Sequence, residues 1–417
     1  MNKKLMALAV AGTLAAPVVA LAQTSNVTIY GRASLGLDSY SATGATAGSA
    51  FDYKSRSRIY DAGSRLGFTG TEDLGNGLKA IFLMESGVNM DTGGTAGQSG
   101  SPNPNTGTLS SRVGHVGLES SSLGRLTFGR SHVWWGNGTI EQTGANYLAT
   151  GLPQLYGLLG RGMNVGVSRQ SNTLQYSAQM GGNALQVSYS PGGESQGAGA
   201  NTDGRLWAVT LQGQWGAFGA GYDWTQVKGN SPAVGSQAAS TGHKVRTGWT
   251  YQPGGQISLL WVKSVQDNGG FTVISTNNAA VANALALVPD ITATSLSQTS
   301  WGLSWEHMFG NVQALAGWGK VNNITGCAIT GRCDNTNATT WLLGARYIFS
   351  KRTAMYVNYA SIQNASNYNM DYIGGWMTSA STTLPAALGG SNIGPGLLPS
   401  SVGADPKLFG VGIMHNF

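Results

Sequence analysis

The sequence predicts an all-β protein whose antiparallel strands close into a barrel within a membrane. Three observations predict it. Apolar and polar residues alternate with a period of two in segment after segment, the composition is rich in Gly and poor in charge, and short links alternate with long ones. At 417 residues, length alone admits roughly two or three soluble domains or one large barrel. Composition narrows this: 63 Gly stand against only 24 basic and 18 acidic residues, whereas a long helical soluble protein carries more charge and more strong helix formers. The formal net charge of +6 gives no case for a nucleic-acid partner.

The first segment is read as a processing signal rather than as part of the fold. Met1 to Lys4 is a basic start, Leu5 to Ala16 an apolar core, and Ala20-Leu21-Ala22 a small-residue cleavage site, so residues 1–22 are expected to be removed. Residues 23–417 form one domain. No later apolar run approaches the roughly 20 residues that a membrane helix needs.

About sixteen strand-like segments follow: 26–37, 59–70, 77–87, 110–118, 123–130, 169–179, 184–190, 204–213, 217–227, 243–252, 255–264, 298–308, 311–321, 339–349, 352–361 and 406–417. In the first, Val27, Ile29, Ala33, Leu35 and Leu37 oppose Thr28, Tyr30, Arg32, Ser34 and Gly36. Further along, Val245, Thr247, Trp249 and Tyr251 oppose Lys244, Arg246, Gly248 and Thr250, while Trp341, Leu343, Ala345, Tyr347 and Phe349 oppose a face with Gly344 and Arg346. In the last, Phe409, Val411, Ile413, His415 and Phe417 alternate with Gly410 and Gly412. Tight links fall at TEDLGN, ESSS, Gly181-Gly182, Pro253-Gly254, Phe309-Gly310 and Ser350-Lys351. Long ones span 38–58, 88–109, 131–168, 228–242, 265–297, 322–338 and 362–405.

That alternation of links puts tight turns at one end of an antiparallel sheet and long loops at the other. Segments of about 9 to 11 tilted residues can cross the hydrocarbon layer, where only a closed sheet leaves no unpaired backbone edge. An exported soluble sandwich or adhesin would also alternate. It would, however, place charge on its exposed face rather than set aromatics against Gly, Ser, Thr and isolated Arg.

Several stretches resemble a known family. SRLGFTGTEDLGNGLKAIFLMESG (64–87), SRVGHVGLESSSLGRLTFGR (111–130), the amino-terminal NVTIYGRASLGL and the terminal VGIMHNF are similar to strands and hairpins of the trimeric general porins of Gram-negative bacteria, β-proteobacterial type. The resemblance implies a sixteen-stranded antiparallel transmembrane β-barrel with short periplasmic turns, long extracellular loops and an inward-folded third loop. It also implies a homotrimer in the cell outer membrane, in contact with lipid and lipopolysaccharide and inserted by the barrel-assembly machinery.

The matching constriction loop is 131–168, in which Glu141 is the sole acidic residue beside His132 and Arg161. Family matching places Arg65, Arg112 and Arg169 on the opposing wall. Arg32, Lys79 and Arg130 are further lumen candidates, because arginine facing lipid near the midplane costs about 2 to 4 kcal/mol. The expected function is passive diffusion of ions and small hydrophilic solutes, with a weak to moderate anion preference. A selective sugar or organic-anion channel and a poreless surface adhesin are the alternatives.

No GxSxG elbow, HExxH, phosphate loop or CxxC pair suggests an enzyme, and no cofactor or metal site is expected. Cys327 and Cys333, in a loop of an exported chain, are candidates for a disulfide against two free thiols. Phe417 matches the family's terminal signal for outer-membrane assembly.

Overall fold

The structure, a computed structural model, describes residues 26–91, 95–96, 109–133, 169–191, 205–228, 239–267, 294–368, 370, 381–383, 392–395 and 402–417. The strands run in order: β1 Asn26–Thr43, β2 in two pieces Tyr53–Asp61 and Arg65–Gly75, β3 Leu78–Val88, β4 Val113–Ser120, β5 Gly124–His132, β6 Arg169–Met180, β7 Asn183–Ser190 and β8 Leu206–Trp215. They continue with β9 Phe218–Lys228, β10 Ala239–Gln252, β11 Gly255–Asp267, β12 Ser295–Phe309, β13 Val312–Val321, β14 Ala338–Ile348, β15 Thr353–Asn364 and β16 Asp405–Asn416. Each pairs antiparallel with its neighbours in sequence. β1 also pairs with β16, so the sixteen strands close into a barrel with no free edge. No α-helix occurs among the described residues.

The turns at one end are tight because their residues allow it. Asn76 and Gly77 both have positive φ, 52° and 76°, and close the β2–β3 hairpin in the two-residue geometry that matches strand twist. Two-residue turns also close β6–β7, β8–β9, β10–β11 and β12–β13. Every predicted segment falls on one of the sixteen strands. The boundaries at the opposite end differ: β1 runs on to Thr43 and β2 starts at Tyr53, so the predicted 38–58 link shrinks to 44–52. Beyond Leu37 the outer face turns to Ser39 and Ser41, which ends the apolar alternation, but the backbone ladder to β2 and β16 continues above the greasy band. The early starts of β10 and β12 have the same cause.

The two sides of the sheet separate as the alternation predicts. Val27, Ile29, Leu37, Trp249, Trp341, Leu343, Phe409, Val411, Ile413 and Phe417 are exposed on the outside, whereas Ser34, Asp38, Lys244, Arg246 and Thr340 are buried on the inside. Gly412 faces inward beneath the Tyr356 ring. Outward Trp and Tyr residues form two belts on β6 to β15. Trp207, Trp224, Trp261, Trp301, Trp318 and Trp341 lie toward the long loops, and Trp215, Trp249, Tyr251, Trp305 and Tyr347 lie near the turns. Among the described residues, the outer faces of β16 and β1 to β5 carry neither Trp nor Tyr.

Candidate functional site: a charged inner wall

Arg65 opens the second piece of β2 and Arg112 immediately precedes β4. Between these strands, β3 turns Glu85 to the inside, opposite Gly67 and Val113. Glu85 Oε1 accepts from Arg112 Nε at 2.7 Å. Its Oε2 accepts from the Tyr30 hydroxyl at 3.1 Å and lies 3.6 Å from Arg65 Nε. Both carboxylate oxygens are thus engaged, and two guanidiniums are held by one acid.

Three further arginines join this wall and are held by neutral groups. Arg32 Nε donates to Asn416 Oδ1 at 3.0 Å, across the β1–β16 seam. Arg130 donates to the Ser111 carbonyl at 3.1 Å and to Ser171 Oγ at 2.8 Å. Arg169 Nε donates to His132 Nε2 at 3.4 Å. Arg169 interacts electrostatically with Arg112, Arg130, Arg65 and Glu85, and Arg32 with Arg65, Arg112, Arg346 and Glu85, so the five form one cluster, with Arg346 of β14 and its partner Glu306 at its edge.

Arg130 reaches it against the simple alternation, which would send it outward with Leu126 and Phe128. A register shift between Gly129 and Ser131 on the β6 pairing re-aims it. Gly129 sits at φ 139°, and a Cβ there would overlap the Gly114 carbonyl.

The structure therefore brings together Arg32, Arg65, Arg112, Arg130 and Arg169. Lys79 is not among them: it faces Asp73 and Glu119 on the inner alternation, six residues from Glu85 toward the tight turns, about 20 Å along the strand. Glu141 and Arg161 lie outside the described residues, as do residues 1–25 and 134–168. Cys327 and Cys333 are bonded, with Cα atoms 5.8 Å apart, in the connection between β13 and β14. Phe417 lies on the outer face with its ring over Gly31, and the two residues exchange backbone hydrogen bonds of 3.0 and 3.1 Å.

Residues not singled out from sequence complete the wall. Glu85 stands in the MESG stretch, and its phase with Lys79, opposite to Phe82 and Met84, is the signal the sequence offers. A second charged group lies on β8 to β10. Asp223 accepts from Arg246 Nε at 2.8 Å, from Arg246 Nη2 at 2.9 Å and from Thr210 Oγ1 at 2.7 Å, and Lys244 Nζ lies 3.2 Å away. Lys244 is 0% and Arg246 1% exposed, so this is a fully buried tie between neighbouring strands. Alternation had placed Lys244 and Arg246 inside. The flanking Tyr222 and Trp224 assign Asp223 to the same face.

A closed sixteen-stranded sheet with an apolar, aromatic-belted exterior and a charged interior defines a membrane-spanning channel barrel of the outer-membrane type. The chain belongs to the Gram-negative porin family, which it matches over residues 7–367. It is 29% identical over 375 residues to a major outer membrane protein P.IB of Neisseria gonorrhoeae, covering 87% of this chain and 94% of that protein. Among solved structures, an anion-selective porin from Comamonas acidovorans shares the fold with a TM-score of 0.65 at 19% identity, over 94% of this chain and 100% of that one. OmpT of Vibrio cholerae in its trimer form gives 0.55 at 12% identity, over 94% and 99%. The protein is thus an outer-membrane channel for passive diffusion of ions and small hydrophilic solutes.

Proposed function

We propose that this diffusion channel has a weak to moderate anion preference, set by the inner-wall arginines. The observation that carries it is five clustered guanidiniums from four strands and an adjoining turn, with Glu85 as their carboxylate partner among the described residues. The Comamonas neighbour, an anion-selective porin, supports the same reading. Residues 131–168, with Glu141, are the segment assigned to narrowing the pore, its first two residues, Ser131 and His132, being the end of β5, and residues 1–22 are assigned as the export signal.

The working unit is a homotrimer. Its protomer contact is assigned to the β16 to β5 face, which lacks the Trp and Tyr that elsewhere anchor the barrel at the lipid boundary. A planar-bilayer experiment tests both parts: under a salt gradient the reversal potential is expected on the anion side, with conductance appearing in three coupled steps. A cation-side potential would overturn the selectivity, and single uncoupled steps the trimer. Saturable flux of one sugar or organic anion would instead favour a solute-selective channel.

Phe417 acts as the assembly signal, read by the barrel-assembly machinery before the seam closes. Deleting Phe417, or replacing Gly31 with Val, is expected to lower outer-membrane abundance several-fold while leaving the unit conductance of inserted molecules near the parent value. A Cβ on Gly31 would overlap the Phe417 ring and come 2.6 Å from the Arg65 carbonyl oxygen, so Gly31→Val disturbs the seam from the other side. Quantitative immunoblotting of membrane fractions checks this, and unchanged abundance in both variants would return Phe417 to an ordinary strand terminus.

A further inference from the structure

Three acids on the inner wall each have a basic group in contact: Glu85 has Arg112, Glu119 has Arg125, and Asp223 has Lys244 and Arg246. Glu306 has none among the described residues. It sits half-buried on the inner alternation of β12, opposite Gln256 of β11 and Leu315 of β13. Its Oε2 accepts from Gln313 Nε2 at 2.6 Å, a neutral amide that orients the carboxylate and leaves its charge uncancelled. Arg346 of β14, opposite Gln313, interacts with Glu306 electrostatically without forming an ion pair with it.

Arg346 also interacts with Arg32 of the inner-wall cluster, so Glu306 belongs to the same charged band of the lumen. It stands on a different arc of that band. From Glu85 on β3 to Glu306 on β12 is seven strand steps through the β1–β16 seam and nine steps through β4 to β11, close to half of the closed circuit either way. The other inner positions of this arc, from Gln256 to Ser264 on β11, Leu296 to Ser304 on β12 and Gln313 to Val321 on β13, carry no charge. Glu306 is therefore the charge that this arc presents.

An ion in the lumen thus has guanidiniums on one side and a carboxylate on the facing side. Because the two signs are held apart rather than paired, each acts on passing ions of the opposite sign. Anions are favoured along the arginine wall, while cations keep a path along β12.

We propose that Glu306 is a specificity-determining residue of the channel: its carboxylate maintains a cation path on the arc facing the arginines and lowers the anion-to-cation permeability ratio. The role rests on the arginine-based anion preference proposed above. Reversal potentials of the reconstituted full chain under a potassium chloride gradient test it. Glu306→Gln can keep the Gln313 hydrogen bond and removes the charge. The anion-to-cation ratio is then expected to rise about fivefold at low salt, about twofold from each ion, and to approach the parent's in about 1 M salt. Arg346→Gln is expected to shift the ratio the other way, and opposite shifts from two neighbouring sites are not what a distorted barrel gives. Glu306→Asp, and Asp267→Asn on the outer face of β11, are expected to match the parent.

Unit conductance near the parent value verifies an intact pore in each variant. An unchanged low-salt potential in Glu306→Gln would overturn the proposal, as would an equal shift in Glu306→Asp or Asp267→Asn. A cation-side potential in the parent would instead overturn the anion preference, and Glu306→Gln would still move that potential toward anions.

Discussion

Replacing Arg65, Arg112 and Arg169 together with glutamine is expected to remove most of the anion preference of the channel. The inner-wall cluster then falls from five guanidiniums against Glu85 to two, Arg32 and Arg130. A unit charge about 8 Å from the ion path in water contributes about 0.5 kcal/mol, so three of them change the permeability of an anion by roughly tenfold at low salt and that of a cation by a similar factor in the opposite sense. In about 1 M salt the screening length drops to roughly 3 Å, and parent and variant should converge. Glu85→Gln moves the other way, because it removes the opposing charge that Arg112 and Arg65 share. Reversal potentials at two ionic strengths measure all of this. If the triple variant keeps the parent's low-salt potential, the arginines are not what sorts the ions.

Asp223→Ala is expected to produce the largest loss of stability of any single substitution in the described wall. It leaves Lys244 and Arg246, both fully buried, without the carboxylate that lies within 3.2 Å of each. Removing one partner of a buried ionic group costs about 3 to 5 kcal/mol, whereas exchanging the whole group for apolar residues of similar volume is often neutral. The urea midpoint of vesicle-folded protein should therefore fall sharply in Asp223→Ala and recover in Asp223→Leu/Lys244→Met/Arg246→Met. Equal midpoints for parent and Asp223→Ala would mean that water, not Asp223, neutralises the two cations.

Much of this architecture is written locally. A period-two alternation forced by water on one side and lipid on the other needs no long-range information, so Phe409, Val411 and Ile413 outside and Gly410 and Gly412 inside were legible at once. Strand ends at the long-loop side were not, because Ser39 and Ser41 carry no apolar signal while backbone pairing continues. Arg32 is placed by phase and Arg65 by the family resemblance, yet their shared neighbourhood depends on how β1 and β2 register. Arg130 defied phase because a bulge at Gly129 re-aims it. Glu85 and Asp223 escape a reading by phase for a different reason: a single acid in an alternating strand acquires meaning only from the bases that pairing brings near it, Lys244 directly opposite Asp223, and Arg65 and Arg112 beside Glu85.

The β1–β16 seam also has a temporal meaning. The Arg32 to Asn416 hydrogen bond joins positions 384 apart in the chain, and bringing such distant ends together costs about 5 kcal/mol of chain entropy before any bond across the seam repays it. Until Asp405–Asn416 docks, β1 and β15 are both bare edges, each presenting unpaired amides and carbonyls that hydrocarbon cannot solvate. Closure is therefore a late, all-or-none event, and the slow phase of folding should track the meeting of the first strand with the last rather than the formation of any hairpin.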